Sequence, residues 1–207
     1  MSDAVPAYAN VPGNYYDKYN TRNPVARYLM SGFLKSFDAL AERTGVRDAY
    51  EVGCGEGHLS MRLSDHGWAV RGSDLEAVSV EAANAQCAGR GMEPKFEARS
   101  LFDLSPDHAA AGLVVCCEVL EHVPQTERAL SVLRSLAKPY LLVSVPREPL
   151  WRVLNIARGQ YLSDLGNTPG HIQHWSAAGF VRLMATIGTV IEVRNPLPWT
   201  MVLCRCD

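Results

Sequence analysis

The stretch EVGCGEG, Glu51–Gly57, continues the short apolar segment AYEVG (49–53) and runs into HLSMRLSDHG (58–67), which has helical spacing. Glycine at every second position, Gly53, Gly55 and Gly57, lets a backbone leaving a strand turn tightly. It also lets a ligand approach main chain with no Cβ in the way. The next strand-like segment, AVRGSD (69–74), ends on Asp74, where a carboxylate can accept hydrogen bonds from two ribose hydroxyls. A glycine triplet alone is also what a bland turn looks like. The triplet with an acid before it and an acid ending the following strand is a nucleotide-site pattern. The spacing is GxGxG, not the GxGxxG of dinucleotide enzymes, and nothing downstream suggests a nicotinamide site.

Outward from this core, strand and helix signals alternate. NPVARYLMSGFLKSFDALAERTG (23–45) predicts a helix with Asn23 as N-cap, Pro24 at the first turn and Gly45 as the stop. The Ala-rich LEAVSVEAANAQCAGRG predicts another helix, KFEARS a third strand, and GLVVCC a fourth, apolar enough to be covered on both faces. QTERALSVLRSLA predicts a helix, YLLVSVP a fifth strand, and SAAGFVRLMATIG a helix capped by Ser176. TVIEVRN and TMVLCRC, joined by the PLPW turn, must pair antiparallel, because so short a connection cannot make a parallel crossover. The expected fold is α/β: a doubly wound, mostly parallel seven-stranded sheet with a C-terminal antiparallel pair and helices on both faces. A single domain is expected. An irregular arm covers 1–22, the first helix 23–45, a nucleotide-binding core 46–145, an insertion 146–175, and the last helix and strand pair 176–207. Ligands in such folds bind beyond the carboxyl ends of the strands.

Composition narrows the function. The 207 residues are 47% apolar and 20% charged, and the net charge is −2, which argues against gripping nucleic-acid backbone as the main task. No apolar run reaches membrane-spanning length, and the N-terminal sequence lacks a charged-then-apolar signal pattern, so a cytoplasmic protein is expected. Six cysteines include no CxxC pair and read as buried free thiols. Cys204 and Cys206 fall on one side of the last strand, where a metal reading is the weaker alternative.

A second constellation follows the fourth strand: CCEVLEHVP, Cys116–Pro124. If EVLEH turns helically, Glu118, Glu121 and His122 share one face. Two carboxylates and an imidazole suit a divalent cation. GHIQHW (170–175) supplies His171 and His174 as further ligands or as a general base. The plainer alternatives are a Glu118 hydrogen bond near the ligand, a packed or capping His122, and a structural hinge at 171–174.

These residues together resemble the Rossmann-like S-adenosylmethionine-dependent methyltransferases, from about Asn14 to the terminal strand pair. The resemblance implies that Glu51 orients the glycine loop or the methionine amino group. It implies that Gly53, Gly55 and Gly57 flank the methionine moiety, and that Asp74, followed by Leu75, holds the ribose. Ser100 and Leu101 in RSLFDL match the adenine frame, although many relatives carry an acid where Ser100 stands. Cys117 and Glu118 border the methionine region. EVLEH is similar to the same stretch in ubiquinone-pathway O-methyltransferases and in small-RNA 3′-end 2′-O-methyltransferases. That likeness implies a magnesium-like ion held by Glu118, Glu121, His122 and His174. NPVAR resembles NPLR of the ubiquinone enzymes, which assigns Arg27 to the methionine carboxylate, offset by one position. Tyr15, Tyr16 and Tyr19 form a lid or a surface arm.

The insertion, with Trp151, Leu154, Ile156 and Tyr161 beside Arg147, Arg152 and Arg158, is expected to form a helix from about Glu148 to Ala157. It would make an acceptor pocket or a homodimer contact. The resulting expectation is methyl transfer from S-adenosylmethionine to a small-molecule acceptor, at a hydroxyl oxygen, with His122, His171 or His174 handling the proton and a divalent cation assisting. The alternatives are methylation of an RNA 3′ end and a non-catalytic S-adenosylmethionine-binding protein.

Overall fold

A computed structural model describes residues 22–93 and 95–206. The segment expected to be a tyrosine lid or surface arm, Tyr16 included, therefore lies outside the described residues.

The helix α1 (Pro24–Arg43) starts as its sequence demands. Asn23 Oδ1 accepts from the Val25 and Ala26 N–H groups, and Pro24 fills the first position, where a missing N–H costs nothing. The chain then runs through β1 (Asp48–Val52), α2 (His58–Asp65), β2 (Ala69–Asp74), α3 (Ala77–Gly89), β3 (Phe96–Ala98), α4 (Pro106–Ala109) and β4 (Ala111–Cys117). The second half holds α5 (Thr126–Leu136), β5 (Ala137–Pro146), α6 (Leu150–Ala157), α7 (Ala177–Met184), β6 (Thr189–Arg194) and β7 (Trp199–Arg205). Short 3-10 turns occupy Leu101–Asp103, Leu120–His122 and Leu162–Asp164.

The strands form one seven-stranded sheet in the order β3-β2-β1-β4-β5-β7-β6. The pairs β1–β2, β1–β4, β2–β3 and β4–β5 are parallel, whereas β7 runs antiparallel to both neighbours, as the PLPW turn requires. The strand order, not the strand direction, reverses between β1 and β4, so the crevice at their carboxyl ends is where a ligand is expected.

Period-two alternation divides the core. Leu113 and Val115 of β4, Leu142 of β5 and Met201 and Leu203 of β7 pack with α1, α2 and α3. Val114, Cys116, Leu141, Val143, Val202 and Cys204 pack with α5 and α7. All seven residues of β4 are buried, as a strand covered on both faces must be. The bidentate Arg62–Asp38 pair, at 2.6 and 2.5 Å, ties α2 to α1.

Several boundaries differ from expectation. The strand in KFEARS is only three residues long. The strand β5 begins at Ala137, directly from the end of α5. The helix α6 starts at Leu150, one turn into the insertion, and α4 was not anticipated. No helix among the described residues is long and apolar enough to cross a membrane.

Candidate active site

Glu51 enters from the end of β1 and is 5% exposed. Its Oε2 accepts from the Ser60 backbone N–H at 3.0 Å and from Ser60 Oγ at 2.6 Å. The first turn of α2 offers unsatisfied N–H groups, and a carboxylate there favours its positive end. Glu51 thus fixes where the glycine loop delivers α2.

The three glycines of that loop all have positive φ: +72° at Gly53, +51° at Gly55 and +81° at Gly57. A Cβ on Gly53 would sit 2.3 Å from Cγ2 of Val119, and one on Gly57 would sit 3.1 Å from Cβ of Ala83. Nothing lies within 4 Å of the corresponding point on Gly55, so bare backbone there faces open space. Asp74 binds the loop from β2. Its Oδ2 accepts from Gly55 N–H at 2.7 Å and its Oδ1 from Glu76 N–H at 2.9 Å. Each oxygen keeps a second acceptor direction, which suits a vicinal diol. Arg99 N–H donates to the Asp74 carbonyl, bringing the turn that follows β3 alongside. In that turn Ser100 Oγ caps Phe102 N–H, and Leu101 packs on the second core. Leu75, next to Asp74, is 68% exposed. These features fit a nucleoside sulfonium: main chain at Gly55 for the tail, Asp74 for the sugar. Burial foremost, then the Glu51 and Asp74 charges, pushes the Cys54 thiol far up, so it stays protonated.

Gly53 offers a test. Gly53→Ala meets both left-handed strain and the Val119 contact, whereas Gly45→Ala, at φ +71° with open space around it, meets strain alone. Strain costs about 1–2 kcal/mol and overpacking adds about 1–3 kcal/mol. In denaturant melts Gly53→Ala should lose clearly more stability than Gly45→Ala. Equal losses would show that Val119 yields freely.

Beyond β4 the expected helical turn does not form. Glu118 adopts φ +60°, and a 3-10 turn follows at Leu120–His122. The left-handed residue swings the Glu118 side chain away from its neighbours. Its Oε1 accepts from Ser144 Oγ at 2.8 Å on β5, and its Oε2 from Trp199 Nε1 at 2.6 Å on β7. The group brought together is instead Glu121, His122 and His171, with one ligand atom from each within 4.8 Å of the others. Two of the four residues expected to ligate, Glu118 and His174, therefore stand elsewhere, and His171 takes a place.

Backbone bonds build this group from segments fifty residues apart. His122 Nδ1 lies 3.0 Å from the Gly170 carbonyl. A carbonyl only accepts, so it is Nδ1 that is protonated in this contact. Ile172 and Gln173 N–H groups both donate to the Glu121 carbonyl, at 2.9 and 3.1 Å. Glu121 is 1% exposed and His171 8%. The His171 ring meets His122 edge-on at 4.9 Å and stacks on Trp151 at 5.9 Å. A carboxylate and two imidazoles, one oriented by a backbone carbonyl, form a donor set that fits a divalent cation.

His174 lies to the side, 2.7 Å from Asn167 Oδ1 and 3.1 Å from a guanidinium nitrogen of Arg152. Burial, then the Arg152 charge, lowers its pKa and favours the neutral ring. Arg27 sits exposed on the first turns of α1. Sequence reasoning passed over Ser60, Ser144 and Trp199, and gave Trp151 an acceptor-side place without its contact to His171. Ser60 alone carried a local signal, a hydroxyl at the start of the helix behind the glycine loop.

Comparison with known proteins adds to this geometry. A family model described as "Methyltransferase domain" matches residues 49–140. The chain is similar to a ubiquinone biosynthesis O-methyltransferase of Xanthomonas axonopodis pv. citri (strain 306), 30% identical over 162 residues, covering 76% of this chain and 67% of that protein. It is also similar to the protein of the same name from Coxiella burnetii (strain RSA 331 / Henzerling II), 26% identical over 153 residues, covering 67% of this chain. The match spans 64% of the Coxiella protein's length. Among solved structures, magnesium protoporphyrin IX methyltransferase from Synechocystis PCC 6803 with bound SAH superposes with a TM-score of 0.67 at 22% identity. That match covers 90% of this chain and 89% of the other.

Proposed function

Because the chain belongs to the Rossmann-like S-adenosylmethionine-dependent methyltransferases, we propose that it moves the cofactor's methyl group to a hydroxyl oxygen of a small molecule, beside a divalent cation. The observation that carries the oxygen-acceptor reading is the convergence of Glu121, His122 and His171 at the carboxyl edge of the sheet. The names of the curated relatives support the same choice.

The chain's own groups have separable tasks. Asp74 holds the ribose, and bare backbone at Gly55 lets the methionine part lie against the loop. Glu51, through Ser60, fixes the helix behind that loop. The reactive sulfonium arrives with the cofactor, so the protein's main contribution is alignment of the acceptor oxygen. Glu121, His122 Nε2 and His171 would hold the cation. A divalent cation in that place supplies positive charge that makes an acceptor hydroxyl easier to deprotonate near neutral pH. The exposed apolar side chains of the 150–165 segment, Val153, Ile156, Leu162 and Leu165, support an acceptor with an apolar body.

One observation favours a second reading. With Nδ1 bound to the Gly170 carbonyl, His122 Nε2 can itself take the acceptor's proton with no cation. The two separate in one assay: labelled methyl transfer to a panel of catechols and phenols, with chelator and then with added magnesium. The cation reading expects turnover to fall at least tenfold with chelator and to return with magnesium. Chelator-insensitive turnover selects the histidine base. Methylation of RNA termini with steep salt dependence, or tight cofactor binding with no transfer to any acceptor, would displace the small-molecule reading.

A further inference from the structure

We infer that Trp199 is a positioning residue: by donating its indole N–H to Glu118 it ties the turn carrying Glu121 and His122 to the segment carrying His171. The inference rests on the methyl-transfer reading only for its kinetic arm.

Glu118 is one of three described non-glycine residues with positive φ, at +60°, and it sits where the chain leaves β4. An L-residue holds that conformation only when its surroundings over-determine it. Here they do. The Glu118 N–H donates to the Ser144 carbonyl at 3.1 Å, Ser144 Oγ donates to one carboxylate oxygen, and Trp199 Nε1 to the other. The donors come from β5 and β7, both parts of the rigid sheet. The left-handed step has two consequences downstream. Val119 is laid against Gly53 of the cofactor loop. Three and four residues on from Glu118, Glu121 and His122 are turned toward His171.

The same indole reaches the other half of the group. Its ring lies 5.0 Å from Phe33 of α1, edge-on, and 5.9 Å from Trp151 of α6. Trp151 in turn stacks on His171 and donates its own N–H to Thr168 Oγ1 at 2.9 Å, three residues before His171. Trp199 is 4% exposed and starts β7, so it has little freedom to move. One buried residue therefore touches the Glu118 turn through a charge-assisted hydrogen bond and the His171 segment through Trp151. It sets the spacing of His122 and His171 without belonging to their group.

Three variants test this: Trp199→Phe, Glu118→Ala and Glu118→Gln. Phenylalanine keeps the ring contacts and removes the N–H. Glutamine keeps an acceptor for Trp199, and its amide can donate to Ser144 Oγ once that hydroxyl reverses. Each is read by kcat and acceptor KM in methyl transfer, by S-adenosylhomocysteine affinity, and by the NMR cross-peak between the His122 and His171 rings. Trp199→Phe and Glu118→Ala should lose more than tenfold in kcat, hold cofactor-product affinity within threefold, and weaken the cross-peak. Glu118→Gln should stay within threefold of wild type throughout. The inference is overturned if Trp199→Phe keeps both kcat and cross-peak, or if Glu118→Gln is as poor as Glu118→Ala, since charge would then be what matters. Should Trp199→Phe not fold, the two Glu118 variants decide. Should the wild type methylate nothing, the methyl-transfer reading fails alone, and the cross-peak still decides the role of Trp199.

Discussion

Asp74→Ala should weaken binding of S-adenosylhomocysteine by about 10²–10⁴-fold in calorimetry. Hydrogen bonds to a charged group contribute about 1.5–3 kcal/mol each, and two ribose hydroxyls sum to about 3–6 kcal/mol, at 1.4 kcal/mol per tenfold. The loss goes beyond ligand contacts. Gly55 and Glu76 both donate backbone N–H groups to this carboxylate. Alanine removes the acceptor that holds the middle of the glycine loop, so the bare backbone at Gly55 no longer stays where the methionine part must lie. Asp74→Asn keeps one acceptor oxygen and should fall between, at about 10–100-fold, because the charge and one acceptor are lost together. Binding by Asp74→Ala within threefold of wild type would remove the nucleotide assignment at β2, and the cofactor assignment with it.

Asp74 and the glycine loop were legible in sequence because their geometry is local. A strand, a tight turn, a helix and a second strand leave few ways for Gly55 and Asp74 to be anything but neighbours. The antiparallel β6–β7 pair was legible for the same reason, a connection too short for a crossover. The EVLEH stretch was legible in composition but not in conformation. Offsets of three and four put Glu118, Glu121 and His122 on one face only if the chain turns as an α-helix. It leaves β4 through a left-handed Glu118 instead. The partners that hold that step, Ser144 and Trp199, are 26 and 81 residues away. No spacing rule reaches that far. His171 and His174, three apart in the same motif, were equally plausible from sequence. The Glu121 carbonyl decides between them by fixing Ile172 and Gln173. That choice is tertiary packing and leaves no mark on local sequence.

The distinction between the two histidines has a kinetic consequence. His122→Ala and His171→Ala should each lower kcat by about 10²–10⁴, the span general acid–base and cation-positioning groups commonly contribute. Cofactor-product affinity should remain within threefold, since the two rings pack against each other, the Gly170 carbonyl and Trp151. His174→Ala should cost less than fivefold, because its ring is engaged with Asn167 and Arg152 outside the group. The double variant His122→Ala/His171→Ala should be little worse than either single one. Groups that act as a unit lose most of their effect with the first removal. Independent packing roles would instead multiply the losses, as they do for separate sites. The same four proteins in stopped-time methyl transfer, with binding measured in parallel, settle the matter. Multiplying losses, or a His174→Ala defect as deep as that of His171→Ala, would mean that the ring group at Glu121 is structural and that the reacting proton leaves by another route.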